Sequence, residues 1–193
     1  MDRIYQKINA LGGIVSTADM ANAAEYKRFQ RAAQRGDITK LRSGVYAAQD
    51  MLGWSMLDIG RIVPDGVVCL YNAWKHYQLL TTIPSYFCVA IERKRKVVIP
   101  QSLPIALYYW KEDNLSLGVS EVLVSGQIVH MTNLERSVCD AVKYRNKIGR
   151  DVCAKILRNY LRKEERDIHL LITYAKQLRV YTTLSHYLEI VLE

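Results

Sequence analysis

One stretch of the chain combines a basic helical pattern with a turn signal, and it limits the folds open to the N-terminal part. Residues 25–46 read EYKRFQRAAQRGDITKLRSGVY. At 100° per residue, Phe29 and the pair Ala32-Ala33 fall on one side of a helix, and mainly basic and amide side chains cover the rest. Gly36 ends this pattern, and residues 42–44 then separate two short apolar runs. The stretch therefore predicts a basic amphipathic helix followed by a β-hairpin.

Two shorter helices are predicted in front of this basic helix. Residues 3–11 carry an apolar stripe at helical spacing, which a glycine pair ends. Ser16, three residues before Asp19, resembles a capping box and predicts a second short helix before residue 24. The basic helix itself is expected over residues 24–35. Three short helices followed by a hairpin is the order of a winged helix-turn-helix, so we predict that fold for residues 1–48.

The remaining residues, 49–193, are predicted to form a second domain. Helices are expected over residues 54–63 and 66–79. Strands are expected over residues 86–91, 97–99, 105–110, 117–124 and 128–130. The pattern then becomes helical, and Thr132 with Glu135 matches the S/T-x-x-E capping box. The chain is therefore predicted to be α+β, with an N-terminal winged helix-turn-helix, a mixed α/β middle region and a helical C-terminal segment.

The charge of the chain favours a polyanionic partner. The 193 residues carry a net charge of +8. Half of this excess lies in residues 1–48, which hold eight Lys or Arg against four Asp or Glu. Nucleic acid and an acidic protein surface both fit such a charge. The basic helices of the C-terminal third are expected to be solvated, with docking of an acidic protein as the alternative.

No apolar run approaches the roughly 20 residues that span a bilayer, and the N-terminus lacks the apolar core of a signal peptide. We therefore expect a cytoplasmic protein without a membrane partner.

The four cysteines do not form a CxxC pair, so buried free thiols are expected.

The basic helix and the hairpin supply the candidate binding residues. Exposed Arg and Gln side chains can read guanine and adenine edges in the major groove, and basic side chains on a hairpin can reach phosphates or the minor groove. The predicted DNA-binding residues are Lys27, Arg28, Gln30, Arg31, Gln34 and Arg35 on the helix and Lys40 and Arg42 on the hairpin. A basic amphipathic helix that merely faces water is the simpler interpretation. The position of this helix before a hairpin favours DNA binding.

Catalytic, metal and cofactor sites have little support in the sequence. The histidines lack paired spacing, and no GxxxxGK[ST], GxGxxG or GxSxG motif occurs. We therefore predict no enzyme activity, no metal and no cofactor. One alternative remains, because Asp65 with Glu92 and Lys94 imitates the PD…ExK pattern of metal-dependent nucleases. Turn formation at Asp65 and a solvated hairpin tip at Glu92 explain these residues more simply.

Three segments resemble the AbiEi family, the antitoxins of type IV abortive-infection toxin–antitoxin systems. Residues 41–46, LRSGVY, are similar to the L-x-R-G-V-Y ending of the family's wing. Residues 66–91, GVVCLYNAWKHYQLLTTIPSYFCVAI, resemble an apolar helix, a His-containing turn, a proline and a strand. The most specific match is NLERSVCDAVKYRNKIGRDVCAKILRNYL, residues 133–161, which resembles an E-R-(T/S)-x-x-D helix and a K-Y-R-N-K-I-G turn. Together the resemblance covers nearly the whole chain.

The resemblance implies a winged-helix repressor of its own operon that binds double-stranded operator DNA. Two copies on an inverted repeat are expected for this class of motif. The resemblance also implies a C-terminal domain that counters a nucleotidyltransferase-type toxin without a stable complex. A plain transcriptional regulator with no antitoxin role is the alternative. Glu135, Arg136 and Asp140 are interpreted as structural, with Arg136 and Asp140 forming an i,i+4 pair.

Overall fold

The computed structural model describes most of the chain as two compact units. The described residues are 2–11, 13–48, 59–82, 86–97, 99, 103–124 and 127–192. The first unit comprises Met1–Asp65, Lys96–Leu103 and Leu123–Ile128, and the second comprises Gly66–Arg95, Pro104–Val122 and Val129–Glu193. The predicted boundary after residue 48 adjoins residues 49–58, which lie outside the described residues, so this boundary stays a prediction.

The first unit consists of helices around a small antiparallel sheet. Its elements are α1 (Asp2–Ala10), β1 (Ile14–Ser16), a 3₁₀ helix (Thr17–Asp19), α2 (Ala23–Gln34), β2 (Ile38–Arg42), β3 (Val45–Ala48) and α3 (Ile59–Ile62). The strand order is β1-β3-β2, and both pairings are antiparallel. The helix predicted over residues 24–35 and the hairpin are confirmed. The predicted second helix is a single 3₁₀ turn that ends at Asp19, and β1 was not predicted.

Polar contacts at its N-terminus fix where α2 begins. The Asn22 side chain accepts a hydrogen bond from the Glu25 amide at 2.9 Å, as an N-cap does. The Glu25 carboxylate in turn accepts from the Ala21 amide at 2.7 Å and pairs with Lys7 at 2.8 Å. Asp19 likewise accepts a hydrogen bond from the Ser16 amide at 2.8 Å, so the predicted capping contact from Asp19 back to Ser16 is confirmed. These polar groups satisfy amides that a helix terminus leaves unpaired.

Apolar burial holds the first unit together. Phe29 and Ala32 of α2 pack with α1 and the sheet in one buried cluster. The members of this cluster are Ile8, Val15, Phe29, Ala32, Ile38, Tyr46 and Ala48. Phe29 lies 5.7 Å from Tyr46 between ring centroids. The apolar face predicted for the basic helix is therefore the face that is buried.

The second unit has a mixed five-stranded sheet and a helical C-terminal part. Its elements are β4 (Val67–Val68), α4 (Tyr71–His76), β5 (Phe87–Glu92), β6 (Ile105–Trp110), α5 (Glu112–Leu115), β7 (Val119–Val124), β8 (Gln127–Thr132), α6 (Leu134–Ile148), α7 (Arg150–Leu161), α8 (Ile168–Gln177) and α9 (Tyr181–Leu192). The strand order is β6-β5-β4-β8-β7, with β4 antiparallel to β5 and parallel to β8. The α+β class is thus confirmed.

Two predictions for residues 49–193 are wrong. The helix predicted over residues 66–79 is divided into β4 and the short α4, because β-branched Val67 and Val68 pair inside the sheet and Leu70 adopts a positive φ of 50°. Residues 97 and 99 are not in a strand. Of the helix predicted over residues 54–63, only α3 falls within the described residues, since residues 54–58 lie outside them.

The capping box predicted for Thr132 and Glu135 is also wrong. Thr132 is the last residue of β8, and Asn133 caps α6 by accepting from the Arg136 amide at 3.0 Å. The Glu135 carboxylate instead accepts a hydrogen bond from the Asp167 amide at 3.0 Å, next to the start of α8. Glu135 therefore ties α6 to α8 rather than closing its own helix.

The buried cysteines and the ion pair on α6 match the predictions. All four cysteines are free and buried. Arg136 and Asp140 form the predicted i,i+4 pair at 3.1 Å, and both side chains are almost completely inaccessible to water. The pair is therefore part of the core of the second unit.

Candidate nucleic-acid interface

The exposed surface of α2 carries most of the predicted DNA-binding residues. Gln30 is half-buried, whereas the other predicted side chains of this segment are exposed: Lys27, Arg28, Arg31, Gln34 and Arg35. Because the buried side of the helix is apolar, these polar groups share the solvent-facing side. The arrangement gives one helix face with four cations and two amides.

The acidic residue of α2 does not offset this face. Glu25 forms a hydrogen bond with Lys7, and this contact, followed by the Ala21 amide, lowers the pKa of the Glu25 carboxyl. The Glu25 carboxylate is therefore held against α1 and the start of α2. The cations from Lys27 onward are left as the dominant charges of the exposed helix face.

One of the predicted cations has an internal partner. The Arg35 guanidinium pairs with the Asp37 carboxylate, with Nη2 and Nε at 2.8 Å and 2.9 Å from the same oxygen. The Arg35 side chain nevertheless remains 61 % exposed. Arg35 is therefore a weaker candidate than Arg28 or Arg31, because an incoming anion must compete with Asp37.

The hairpin contributes one described cation. Lys40 is exposed on β2 and lies directly opposite Tyr46 of β3, so the two side chains are on the same face of the sheet. The strand register shifts between Lys40 and Arg42. The side chain of Arg42 lies outside the described residues, and its predicted role stays a prediction.

A groove separates α2 from the hairpin. It has a volume of about 160 Å³, and its lining residues are Gln30, Ala33, Gln34, Lys40 and Tyr46. Three of the predicted DNA-binding residues thus line one depression together. Tyr46 was not among the predicted site residues, because an aromatic residue in a short strand indicates only a buried position.

Gly44 shapes the turn of the hairpin. Its φ of +74° belongs to the left-handed region, which glycine tolerates without steric cost. A Cβ at this position would lie 2.7 Å from Cγ2 of Thr17. The turn therefore requires glycine at this position.

The residues of the nuclease alternative fall in different units. Asp65 ends the first segment of the first unit and has a φ of +56°, whereas Glu92 and Lys94 belong to the second unit. Within the described ranges, no three or more His, Cys, Asp or Glu side chains cluster as metal ligands.

None of the helices in the described part of the chain is long and apolar enough to cross a membrane.

A scan of protein-family models finds no match to this chain, and a search of curated proteins finds no significant match.

Proposed function

We propose that the chain is a DNA-binding transcriptional repressor whose first unit is a winged helix-turn-helix. In this proposal α2 enters the major groove, and β2 with β3 forms the wing. The observation that carries it is the two-sided character of α2, which buries Phe29 and Ala32 and exposes three cations, with Arg35 at its C-cap as a fourth. Order along the chain adds support, since a short helical turn precedes α2 and a hairpin with an exposed lysine follows it.

Each exposed cation is assigned to base edges or to phosphates by its chemistry and by its contacts. Arg28 and Arg31 are exposed and, unlike Arg35, are not held in a salt bridge within the described residues, so they are the candidates for guanine edges. Lys27 and Lys40 are candidates for phosphates, which attract a point charge without sequence preference. Arg35 contributes less because Asp37 already binds it.

Arg31→Ala is expected to lower affinity for duplex DNA roughly tenfold, the effect of removing one good hydrogen-bonding pair. The plot of log affinity against log salt should also flatten, because the variant brings one cation fewer to the duplex. The measurement is fluorescence anisotropy over a salt series, with the region upstream of the protein's own gene and with a scrambled duplex of equal length.

Arg158→Ala is the matched control, because Arg158 is an exposed arginine of α7 and its loss changes the net charge equally. It should leave the affinity of the first-unit interface unchanged. Equal losses in the two variants would contradict the proposed role of α2, since the effect would then follow net charge alone.

We further propose that this repressor is the antitoxin of a type IV toxin–antitoxin system and counters a nucleotidyltransferase-type toxin. The support for this part is the resemblance of residues 66–91 and 133–161 to AbiEi antitoxins. Because the toxin is expected to be countered without a stable complex, binding between the two proteins is not the relevant readout.

Co-expression tests the antitoxin proposal. If a nucleotidyltransferase gene adjoins this one, its induction should stop growth, and the present chain should restore growth when expressed in trans. The Arg31→Ala variant should still restore growth, because DNA binding and rescue are assigned to different units. Growth arrest that persists with the wild-type chain would contradict the antitoxin role and leave a plain regulator.

A further inference from the structure

One residue that lines the groove between α2 and the hairpin, Tyr46, has a buried hydroxyl group. Tyr46 is fully buried, and within the described part of the chain its hydroxyl makes no hydrogen bond of good geometry, although the Tyr26 side chain lies close enough to perturb it. Phe29 packs on the ring, and the Tyr26 ring lies edge-on at 6.5 Å between centroids. A buried polar group without a partner is destabilising and rare in native proteins, so this hydroxyl calls for a specific explanation.

The lining of the groove favours an oxyanion. Its lining residues are Gln30, Gln34, Lys40, Tyr46 and Ala33. The lysine ammonium, both glutamine amides and the tyrosine hydroxyl can donate hydrogen bonds, and the lining contains no carboxylate. Burial, with smaller contributions from the charge and the hydrogen-bonding side chain of the neighbouring Tyr26, raises the pKa of Tyr46 to about 12, so its hydroxyl keeps at neutral pH the proton that it would donate.

The size of the groove limits the ligand to one small group. A volume of about 160 Å³ is well above the roughly 10–15 Å³ that a cavity needs to hold one water molecule on the same measure. It suits a tetrahedral phosphate better than a single water molecule. Gln34 and Lys40 are exposed, so their side chains have room to reorient around an entering group and uncover the hydroxyl.

We propose that this groove binds one backbone phosphate of the DNA duplex, with the Tyr46 hydroxyl donating a hydrogen bond to a phosphate oxygen. The inference rests on the proposed DNA-binding function and deepens it. Lys40 supplies the charge, and Gln30 and Gln34 bind the backbone rather than base edges. The contact sets how deeply α2 sits in the major groove, because it joins the helix and the hairpin at one phosphate.

Tyr46→Phe removes the hydroxyl and keeps the ring that packs on Phe29. Affinity for duplex DNA should fall roughly tenfold, as expected when a hydrogen bond to a charged group is removed. The salt slope should stay at its wild-type value, because a neutral phenol releases no counterion. Lys40→Gln should instead flatten the slope by about 0.9. Both variants are measured by the same anisotropy series, together with their urea unfolding midpoints.

Tyr26→Phe is the matched control, since it deletes a phenol hydroxyl of α2 beside Tyr46 but outside the groove lining. It should bind DNA like the wild type. The unfolding midpoint of Tyr46→Phe should not fall, because the deleted hydroxyl makes no hydrogen bond of good geometry with any described residue. A lower midpoint accompanying the affinity loss would overturn the inference, because the hydroxyl would then be a structural group.

The remaining outcomes separate this inference from the DNA-binding proposal. Wild-type affinity in Tyr46→Phe, together with weakened binding by Arg31→Ala, overturns the inference alone. Failure of the wild-type chain to bind either duplex overturns both. Inorganic phosphate is titrated separately and followed by nuclear magnetic resonance. Tyr46-dependent binding of this ion, with unchanged DNA affinity, would overturn the inference by assigning the groove to free phosphate.

Discussion

Arg136→Ala is expected to lower the free energy of unfolding by about 3–5 kcal/mol, the typical cost of breaking a buried ion pair by removing one partner. The arginine is 1 % exposed, and its Nε lies 3.1 Å from Oδ1 of Asp140. Its Nη1 donates to the backbone carbonyls of Asn114 and Leu117 at 2.6 Å and 2.7 Å, and its guanidinium lies 4.5 Å from the centroid of the Trp110 ring. The substitution would leave a carboxylate and two carbonyls without these donors. Urea unfolding followed by circular dichroism measures the loss.

The stability deficit of Arg136→Ala should depend on pH. Burial raises the pKa of Asp140 above its ordinary value of 3.8, and Arg136 opposes this rise. Without the guanidinium the folded-state pKa should rise further. A carboxyl group with a raised folded-state pKa favours folding most below its unfolded pKa, and this contribution is lost as the pH rises through the folded value. The deficit should therefore shrink as the pH is lowered from neutrality towards 4.

Two further variants test the ionic explanation. Lys163→Ala removes the exposed pair with Glu165, whose atoms lie 3.0 Å apart, and should leave stability nearly unchanged. Arg136→Met combined with Asp140→Leu removes both charges and should recover part of the stability lost by Arg136→Ala. If the double variant were less stable than Arg136→Ala, removal of the carbonyl hydrogen bonds and of packing would be the cause instead.

Gly118→Ala is expected to cost about 2–5 kcal/mol, because it combines two independent penalties. Gly118 has a φ of +62°, which costs an ordinary residue about 1–2 kcal/mol. An added Cβ would also lie 2.8 Å from Cβ of Arg136 and 2.9 Å from Cε2 of Tyr174. Such overpacking typically costs a further 1–3 kcal/mol, and the Arg136 Cβ cannot move away without its helix. Thermal and urea unfolding of the variant measure the sum.

Gly36→Ala separates the two penalties. Gly36 also has a positive φ, of +79°, but a Cβ there would have no atom within 4 Å. This variant should show only the backbone cost of about 1–2 kcal/mol. An equal loss of stability in both variants would contradict the predicted clash of Gly118→Ala with Arg136.

The elements of the first unit that were predictable are those with local signals. A basic helix with an apolar stripe, a glycine after its last turn and a glycine in the hairpin are visible in the sequence because helix and turn geometry depend on near neighbours. The groove was not predictable, because it depends on Tyr46 of β3 lying under Gln30 and Gln34 of α2. That arrangement depends on tertiary packing, which the periodicity of the sequence does not report.

The errors in the second unit have the same origin. Apolar residues 66–79 fit a helix and a buried strand equally well, and the sheet decides by pairing Val67 and Val68. Thr132 and Asn133 are both residue types that cap helices well, and Asn133 caps α6 because Thr132 is the last residue of β8. The spacing of Arg136 and Asp140 predicted their pairing but not their burial, which the packing of α6 determines.

The burial of all four cysteines makes the protein suitable for site-directed labelling. Burial raises the pKa of Cys139 to about 12 and that of Cys153 to about 11, and it raises the pKa of Cys69 and Cys88 as well. Native thiols of this kind react slowly with maleimides, which need exposed thiolate. A cysteine introduced at the exposed Ser43 would therefore be the fastest-reacting thiol, and a fluorophore there would report on the hairpin without prior removal of native cysteines.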